Sequence, residues 1–301
     1  MLSKILLNLA ILPWTNDLYK YGGFMKKFLI IANETKDIDL KYSKYAETKI
    51  KEKGAEASIC VGSDSPDLSD ALDSVEAVIV MGGDGTMLRV AHALEGRTTP
   101  VIGVNLGVVG FLTEVVVSEI DAMIDRLIND DFVIEDRMML SGTVHTKDGD
   151  TKLDALNDIV LARESALRLT AVGIYVNGRA FDTTEADGII LSTPTGSTGY
   201  NLSAGGPIVQ PDARLMVLTP ISPYSMSRRS VVFGADDVIT LELLEKRKDI
   251  ENIGLISFDG AESFNIHVGD TVDIRVSDKI FKIIKLEEVG VYEILRKKLG
   301  G

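Results

Sequence analysis

An α/β domain followed by an antiparallel β-sandwich domain is the fold class that the sequence predicts, on three observations. From residue 28 to about 132, short β-rich runs alternate with segments of helical spacing, the pattern of a parallel sheet covered by helices. Beyond Asp136 the β-branched runs are separated instead by turn pairs, Asp148 with Gly149, Asn177 with Gly178 and Asp259 with Gly260. A length of 301 residues fits two domains at about 150 residues each, and 45% hydrophobic content is enough for a core in both.

The chain opens on residues 1–25, where Lys4 precedes an apolar stretch at 5–12 that has the length of a signal-peptide core but lacks a small-x-small cleavage site. Met25, Lys26 and Lys27 run straight into a first strand, so 1–25 is expected to be a dispensable extension outside the native fold. Strands are expected at 28–32, 57–61, 77–81 and 101–104. Between the first two, Ile38, Tyr42, Tyr45 with Ala46, and Ile50 recur at helical spacing, and Gly54 stands where a C-terminal cap belongs. A second helical pattern runs from 87 to 94, and together these elements place the α/β domain at 26–135. Asn177 and Gly178 lie between strand-like runs at 169–176 and 179–183, a hairpin signal because a type I′ turn needs positive φ at both centres. The β-rich domain is expected at 136–285, and the helical pattern at 292–299 is expected to carry residues 286–301 back onto the first domain.

Acidic residues outnumber basic ones by 45 to 32, leaving a net charge of −13 that repels a nucleic-acid backbone. A single cysteine, Cys60, allows neither an intramolecular disulfide nor a cysteine metal cluster, which suits a reducing, cytoplasmic setting. No apolar run reaches the ~18 residues of a membrane-spanning helix, so no membrane partner is expected. His92, His145 and His267 show no metal-ligand spacing, and His92 reads as part of a helix face.

Three features carry chemistry. Gly82, Gly83, Asp84, Gly85 and Thr86 follow the third strand and precede a helix, so that glycines admit a close ligand and the helix start offers amide donors to an anion. The same turn could be only a tight βα connection, but Asp84 repels phosphate and needs a reason beyond capping, either holding Mg²⁺ or accepting a proton from an attacking hydroxyl. No Walker A lysine motif is present, and the first βα turn lacks the dinucleotide glycine fingerprint. In the second feature, residues 192–206, ten of fifteen residues are Gly, Ser or Thr, with Tyr200 embedded and prolines at 194 and 207; it reads as a polar pocket lining or as a surface loop. The third is Asn157 with Asp158, two polar residues inside a strand-like run, one of which must be buried and partnered.

Taken in order, the 82–86 turn, Asn157 with Asp158, the 193–206 stretch and the segment from Leu218 through Pro220 to Pro223 resemble the NAD kinase family over roughly residues 26–300. The turn around Asp84 is shared with diacylglycerol, sphingosine and phosphofructokinases, whereas the long glycine and threonine stretch is specific to this family. The resemblance implies a Rossmann-like first domain and transfer of the γ-phosphoryl group of ATP, in some members of polyphosphate, to the 2′-hydroxyl of the adenosine ribose of NAD. Mg²⁺ or another divalent cation assists, with no protein ligands assigned to it. It implies that Asp84 is the proton acceptor at the 2′-hydroxyl, that Gly85 lines the same site, and that Gly82, Gly83, Gly85 and Thr86 hold the ATP phosphates. Asn157, Asp158 and Asp187 correspond to NAD-contacting positions, and Thr195 with Thr198, Gly199, Tyr200, Asn201, Leu202 and Ser203 to the loop over the adenosine half. A homodimer or homotetramer, in which a neighbouring β domain helps complete the site, is implied as well.

The sequence departs from the family pattern at several points. Asp158 stands where glutamate is usual, Gly199 where alanine is frequent, and Tyr224 where histidine is common. Arg168 and Glu185 fall where relatives place substrate-contacting basic residues, and Glu185 has the wrong sign for a phosphate. The competing readings are a lipid or sugar kinase of the same superfamily and a non-catalytic NAD(P) sensor; the intact Asp84 argues against the second.

Overall fold

The computed structural model describes residues 25–62, 69–107, 110–164, 169–245, 253–286 and Arg296. Residues 1–24 of the expected extension, Arg168 and the expected terminal helix at 292–299 lie outside the described residues, apart from Arg296, which is helical and exposed; the last residue of the expected extension, Met25, is instead fully buried in the apolar cluster beneath β1 and belongs to the fold.

The first half runs β1 (Lys27–Ala32), α1 (Lys41–Glu52), β2 (Glu56–Val61), α2 (Ser69–Leu72), β3 (Ala77–Gly82), α3 (Asp84–Ala93), β4 (Val101–Asn105), β5 (Val115–Val116) and α4 (Ile120–Ile128). All four expected strands are present, each within a residue of its expected ends, because nearly every side chain in β1, β3 and β4 is buried, the signature of parallel strands covered on both faces. Phe28, Ile30, Ile79 and Met81 face one apolar cluster with α1 and α4, while Leu29, Ile31, Val78 and Val80 face a second with α3. The start of α1 is fixed by the buried Asp37, whose carboxylate accepts the amides of Tyr42 and Ser43 and the Ser43 hydroxyl. Gly54 ends it with φ +80°.

The second half contains β6 (Val133–Thr146), β7 (Gly149–Ala155), β8 (Asp158–Arg163), β9 (Thr170–Val176), β10 (Arg179–Ala186), β11 (Gly188–Ser192) and α5 (Tyr200–Ser203). It continues through β12 (Leu215–Ile221), β13 (Val231–Gly234), β14 (Ile239–Leu244), β15 (Ile253–Phe258), β16 (Glu262–His267) and β17 (Thr271–Lys285). Two of the three expected turn pairs form tight turns with positive φ at both centres: Asn177 and Gly178 have φ of 51° and 74°, and Asp259 and Gly260 have 52° and 68°; at the third, only Gly149 has positive φ and it already opens β7, so the turn falls one residue earlier than expected. The strand after Asn177-Gly178 is longer than the expected 179–183, because a bulge between Ala180 and Asp182 lets pairing with β9 continue to Ala186.

A six-stranded antiparallel sheet, β13-β12-β11-β8-β15-β16, packs over the antiparallel part of the larger sheet through Leu140, Ile159, Leu191, Leu241, Phe258 and Ile274. The two halves are not separate sheets. β17 pairs with β14 at its start and runs antiparallel to β6 along its length, and Ile283 near its end lies beside Val101 of β4. One eleven-stranded sheet therefore passes from the sandwich into the parallel core. Among the described residues no helix is long and apolar enough to cross a membrane.

Candidate functional site

In the parallel part the strand order is β4-β3-β1-β2, so the chain leaves β1 toward one side and β3 toward the other. The loops after these two strands therefore diverge at their carboxyl ends, the place where open α/β sheets bind ligands. Those loops meet directly: Asn33 Nδ2 donates to Thr86 Oγ1 at 3.0 Å. A Cβ built on Gly83 would lie 2.9 Å from Lys36 Nζ, so a lysine ammonium stands over the glycine turn.

Asp84 is the first residue of α3, half-buried, with Gly83 before it in extended backbone. Thr86 and Met87 give their amides to the Gly83 carbonyl, which leaves the amides of Asp84 and Gly85 at the helix start for another acceptor. Thr86 is turned inward and buried, its hydroxyl oxygen accepting from Asn33 and Arg89.

The Asp84 carboxylate is held by a loop that the sequence reading passed over. Oδ2 accepts the Phe111 amide at 2.7 Å, and Oδ1 accepts the amides of Leu112 and Thr113 and the Thr113 hydroxyl at 3.1 to 3.3 Å. Gly110 makes this possible, since a Cβ there would come within 1.7 Å of Asp84 Oδ1. Asn105 at the end of β4 braces the loop, donating to Thr113 Oγ1 and accepting the Gly107 amide. Two glycines shortly after a buried strand, at 107 and 110, were the available signal.

Asn157 and Asp158 lie where β8 begins, and the Asp158 side chain is buried. Burial, and after it the negative charge of Asp259, pushes the Asp158 carboxyl up to about 7. Asn157 Oδ1 is buried without a hydrogen-bond partner, an unmet acceptor of the kind a ligand donor satisfies. The 192–206 stretch folds onto this pair. Thr193 takes the Asn157 carbonyl with its amide and the Leu156 carbonyl with its hydroxyl, and a Cβ on Gly196 would lie 2.1 Å from the Asn157 carbonyl oxygen.

The surface-loop reading of that stretch does not hold. Residues 192–197 are buried, a 3₁₀ turn spans Gly196–Thr198 and α5 follows. Thr195 Oγ1 accepts from the buried guanidinium of Arg137 on β6, which is ion-paired with Glu135. Thr198 and Gly199 are half-buried, Leu202 likewise, and Tyr200 and Ser203 are exposed. Asn201 is fully buried, bonded to the Ser197 and Pro207 carbonyls and the Thr219 hydroxyl, so its side chain ties the turn together from within.

The remaining positions sit elsewhere. Asp187, at the opposite end of β11, is roughly 20 Å along the strand from the 193 turn, and its carboxylate pairs with Arg163 at 2.8 Å. Glu185 is exposed on β10, where its carbonyl accepts the Tyr224 amide.

A glycine turn with free amides at a sheet switch point, a clamped carboxylate at the helix start and a buried polar turn from an adjoining sandwich make up the architecture with which the comparisons below agree. The ATP-NAD kinase N-terminal domain matches residues 32–132, and the ATP-NAD kinase C-terminal domain matches residues 156–286. The NAD kinase of Agathobacter rectalis is 38% identical over 282 residues, covering 92% of this chain and 99% of that protein. That of Lachnoclostridium phytofermentans is 38% identical over 284 residues, with the same coverage. Among solved structures, an NAD kinase from Archaeoglobus fulgidus in complex with ATP superposes with a TM-score of 0.71 at 25% identity, covering 88% of this chain and 95% of that one. The fold is also that of yeast NADH kinase, with a TM-score of 0.81 at 24% identity, covering 92% of this chain and 88% of that one. The chain belongs to the NAD kinase family, phosphotransferases with an alcohol group as acceptor.

Proposed function

We infer that the γ-phosphoryl group of ATP passes to the 2′-hydroxyl of the adenosine ribose of NAD at the carboxyl ends of β1 and β3, giving NADP and ADP. The observation that carries this is the Asp84 carboxylate, aimed by three backbone amides at the start of a helix whose own first amides are free for phosphate. Oδ1 accepts three of the four bonds, so Oδ2 keeps a lone pair for an incoming hydroxyl. In the transfer O2′ bonds to Pγ, the bond from Pγ to the bridging oxygen of ADP breaks, and the hydroxyl proton goes to Asp84 Oδ2. The amides of Asp84 and Gly85 and the Lys36 ammonium face the triphosphate; Thr86 shapes the turn from below. Asn157 and Asp158 accept from the adenosine half of NAD, beneath the turn carrying Thr195, Thr198 and Gly199, with Tyr200 at its rim.

No group of three or more His, Cys, Asp or Glu side chains that could hold a metal ion occurs among the described residues. The one carboxylate at the phosphate turn already accepts four protein bonds. This donor set does not fit a resident cation, so a divalent ion is assigned to the donor substrate as its ATP complex, and no step here runs through it. Asp187 lies at the far end of β11 from the 193 turn, and Glu185 on β10 and Tyr224 after β12 gather at that same end, too far to share one adenosine with the turn; this fits a homo-oligomer in which they face a neighbour's nucleotide. A cytoplasmic setting accords with the single cysteine.

The test is incubation with ATP, Mg²⁺ and NAD, read by an NADP-specific dehydrogenase. Wild type is expected to generate NADP, and Asp84→Asn to bind NAD normally while losing kcat on the order of 10²-fold or more. No NADP above an enzyme-free blank refutes the activity; wild-type turnover in the variant refutes the role of Asp84.

A further inference from the structure

The Asp259-Gly260 hairpin explains its own sequence only in part. A type I′ turn with φ of 52° and 68° is met as well by Asn-Gly, so the turn does not account for a carboxylate. That carboxylate is fully buried and receives four donors. Oδ1 accepts the amides of Asn157 at 2.7 Å and Asp158 at 3.0 Å, and Oδ2 accepts the Leu156 amide at 2.7 Å and lies 2.8 Å from His92 Nε2. The Asp259 amide in turn donates to the Asp158 carbonyl. His92 belongs to α3, the helix that begins with Asp84, and sits about 12 Å further along its axis. The two ends of one helix thus reach the two parts of the site: its first residue is the acceptor carboxylate, and its last turn is tied through Asp259 to the segment carrying Asn157 and Asp158.

We propose that Asp259 is a positioning residue for nucleotide binding, which with His92 sets the Asn157-Asp158 pair at a fixed distance from Asp84. The proposal rests on the reading that this pair holds NAD. It touches no substrate itself; its effect runs through the three amides it gathers. The residues around it fit this role. His92 faces it from α3, Asp158 from β8, and the charges of Glu262 on β16 and Asp154 on β7 also act on His92. Desolvation is the largest single influence on His92 and lowers its pKa, but the Asp259 bond and these negative charges together outweigh it and leave the pKa raised. The same Asp259 charge contributes, after burial, to keeping Asp158 protonated up to about 7.

Asp259→Asn keeps the turn and the side-chain shape but turns an amide NH₂ toward groups that are themselves donors. The expected result is a rise of about 10-fold or more in KM for NAD, with KM for ATP within twofold of wild type by the same criterion. In wild type the KM for NAD is expected to climb as pH falls through about 7, where Asp158 takes up a proton; Asp259→Asn moves that limb to lower pH. His92→Ala is expected to raise the KM for NAD, and His92→Gln, which still offers a donor to Asp259, to recover most of the loss. Two outcomes overturn the proposal: an unchanged KM and an unmoved pH limb in Asp259→Asn, or equal losses toward NAD and ATP in step with a lowered Tm, which mark a merely structural residue. Asn157→Ala, measured in parallel, separates the two levels. If it leaves NAD binding intact, the assignment of the pair to NAD fails whatever Asp259→Asn does.

Discussion

Asp158, proposed above to contact NAD, carries a stability cost whose sign is set by its pKa. Its carboxyl goes from 3.8 to about 7 on folding, with burial the larger cause and the Asp259 charge the smaller. Between those values the folded chain keeps a proton that the unfolded chain has released. The contribution to stability is therefore complete below about pH 4 and is lost as pH rises to about 7. At about 1.4 kcal/mol per unit the loss is on the order of 4 kcal/mol. Asp158→Asn, of the same size and without a charge to desolvate, is expected to be more stable than wild type at pH 8 and to lack the decline across the acid range. Denaturant unfolding at a series of pH values checks this, and parallel curves for the two proteins would contradict it.

At the scale of elements, the loop at 110–113 decides where the Asp84 carboxylate points. Its amides converge on Asp84 only because Gly110 has no side chain. Gly110→Ala must push the loop off the carboxylate, and kcat is expected to fall by about 10-fold or more, because loss of aim acts on the proposed transfer step while the proposed NAD contacts on β8 stay in place. Steady-state kinetics with both substrates varied tests it; a variant that changed only KM for NAD would show that the loop serves binding instead. This clamp was not legible in the sequence, and the reason is physical. The strands at 28–32 and 77–81, the helix ended by Gly54 and the Asn177-Gly178 hairpin follow from neighbours a few residues apart, and all could be read from periodicity and turn chemistry. The bonds that finish the site span 27 to 29 residues for Asp84 and 101 to 103 for Asp259, so no local pattern records them. Asp259 read as a turn residue and His92 as a helix face; each is that, and each also reaches across the fold.

At the scale of the whole molecule, the sequence suggested two consecutive domains, and the sheet shows how they are joined. β6 and β17 are the longest strands among the described residues, at 14 and 15, and they pair with each other almost end to end. At one end β17 is bonded to β14 of the sandwich, and at the other it abuts the start of β4 in the parallel core. Phe281 and Ile283 fill the parallel core while Val272 and Ile274, on the same strand, fill the sandwich. Separating the halves would expose both sets and break a sheet that has no natural edge between them, so partial unfolding of one half leaves an unpaired strand in the other. The chain is expected to unfold in one cooperative transition, with calorimetric and van't Hoff enthalpies in agreement. Amide exchange supplies the sharper measurement: the central amides of β4, β14 and β17 should share one opening free energy in the regime where exchange reports it. Two calorimetric peaks, or slow exchange in β14 while β4 exchanges freely, would mean that the halves fold apart and that the distance between Asp84 and the Asn157-Asp158 pair is set by something other than the shared sheet.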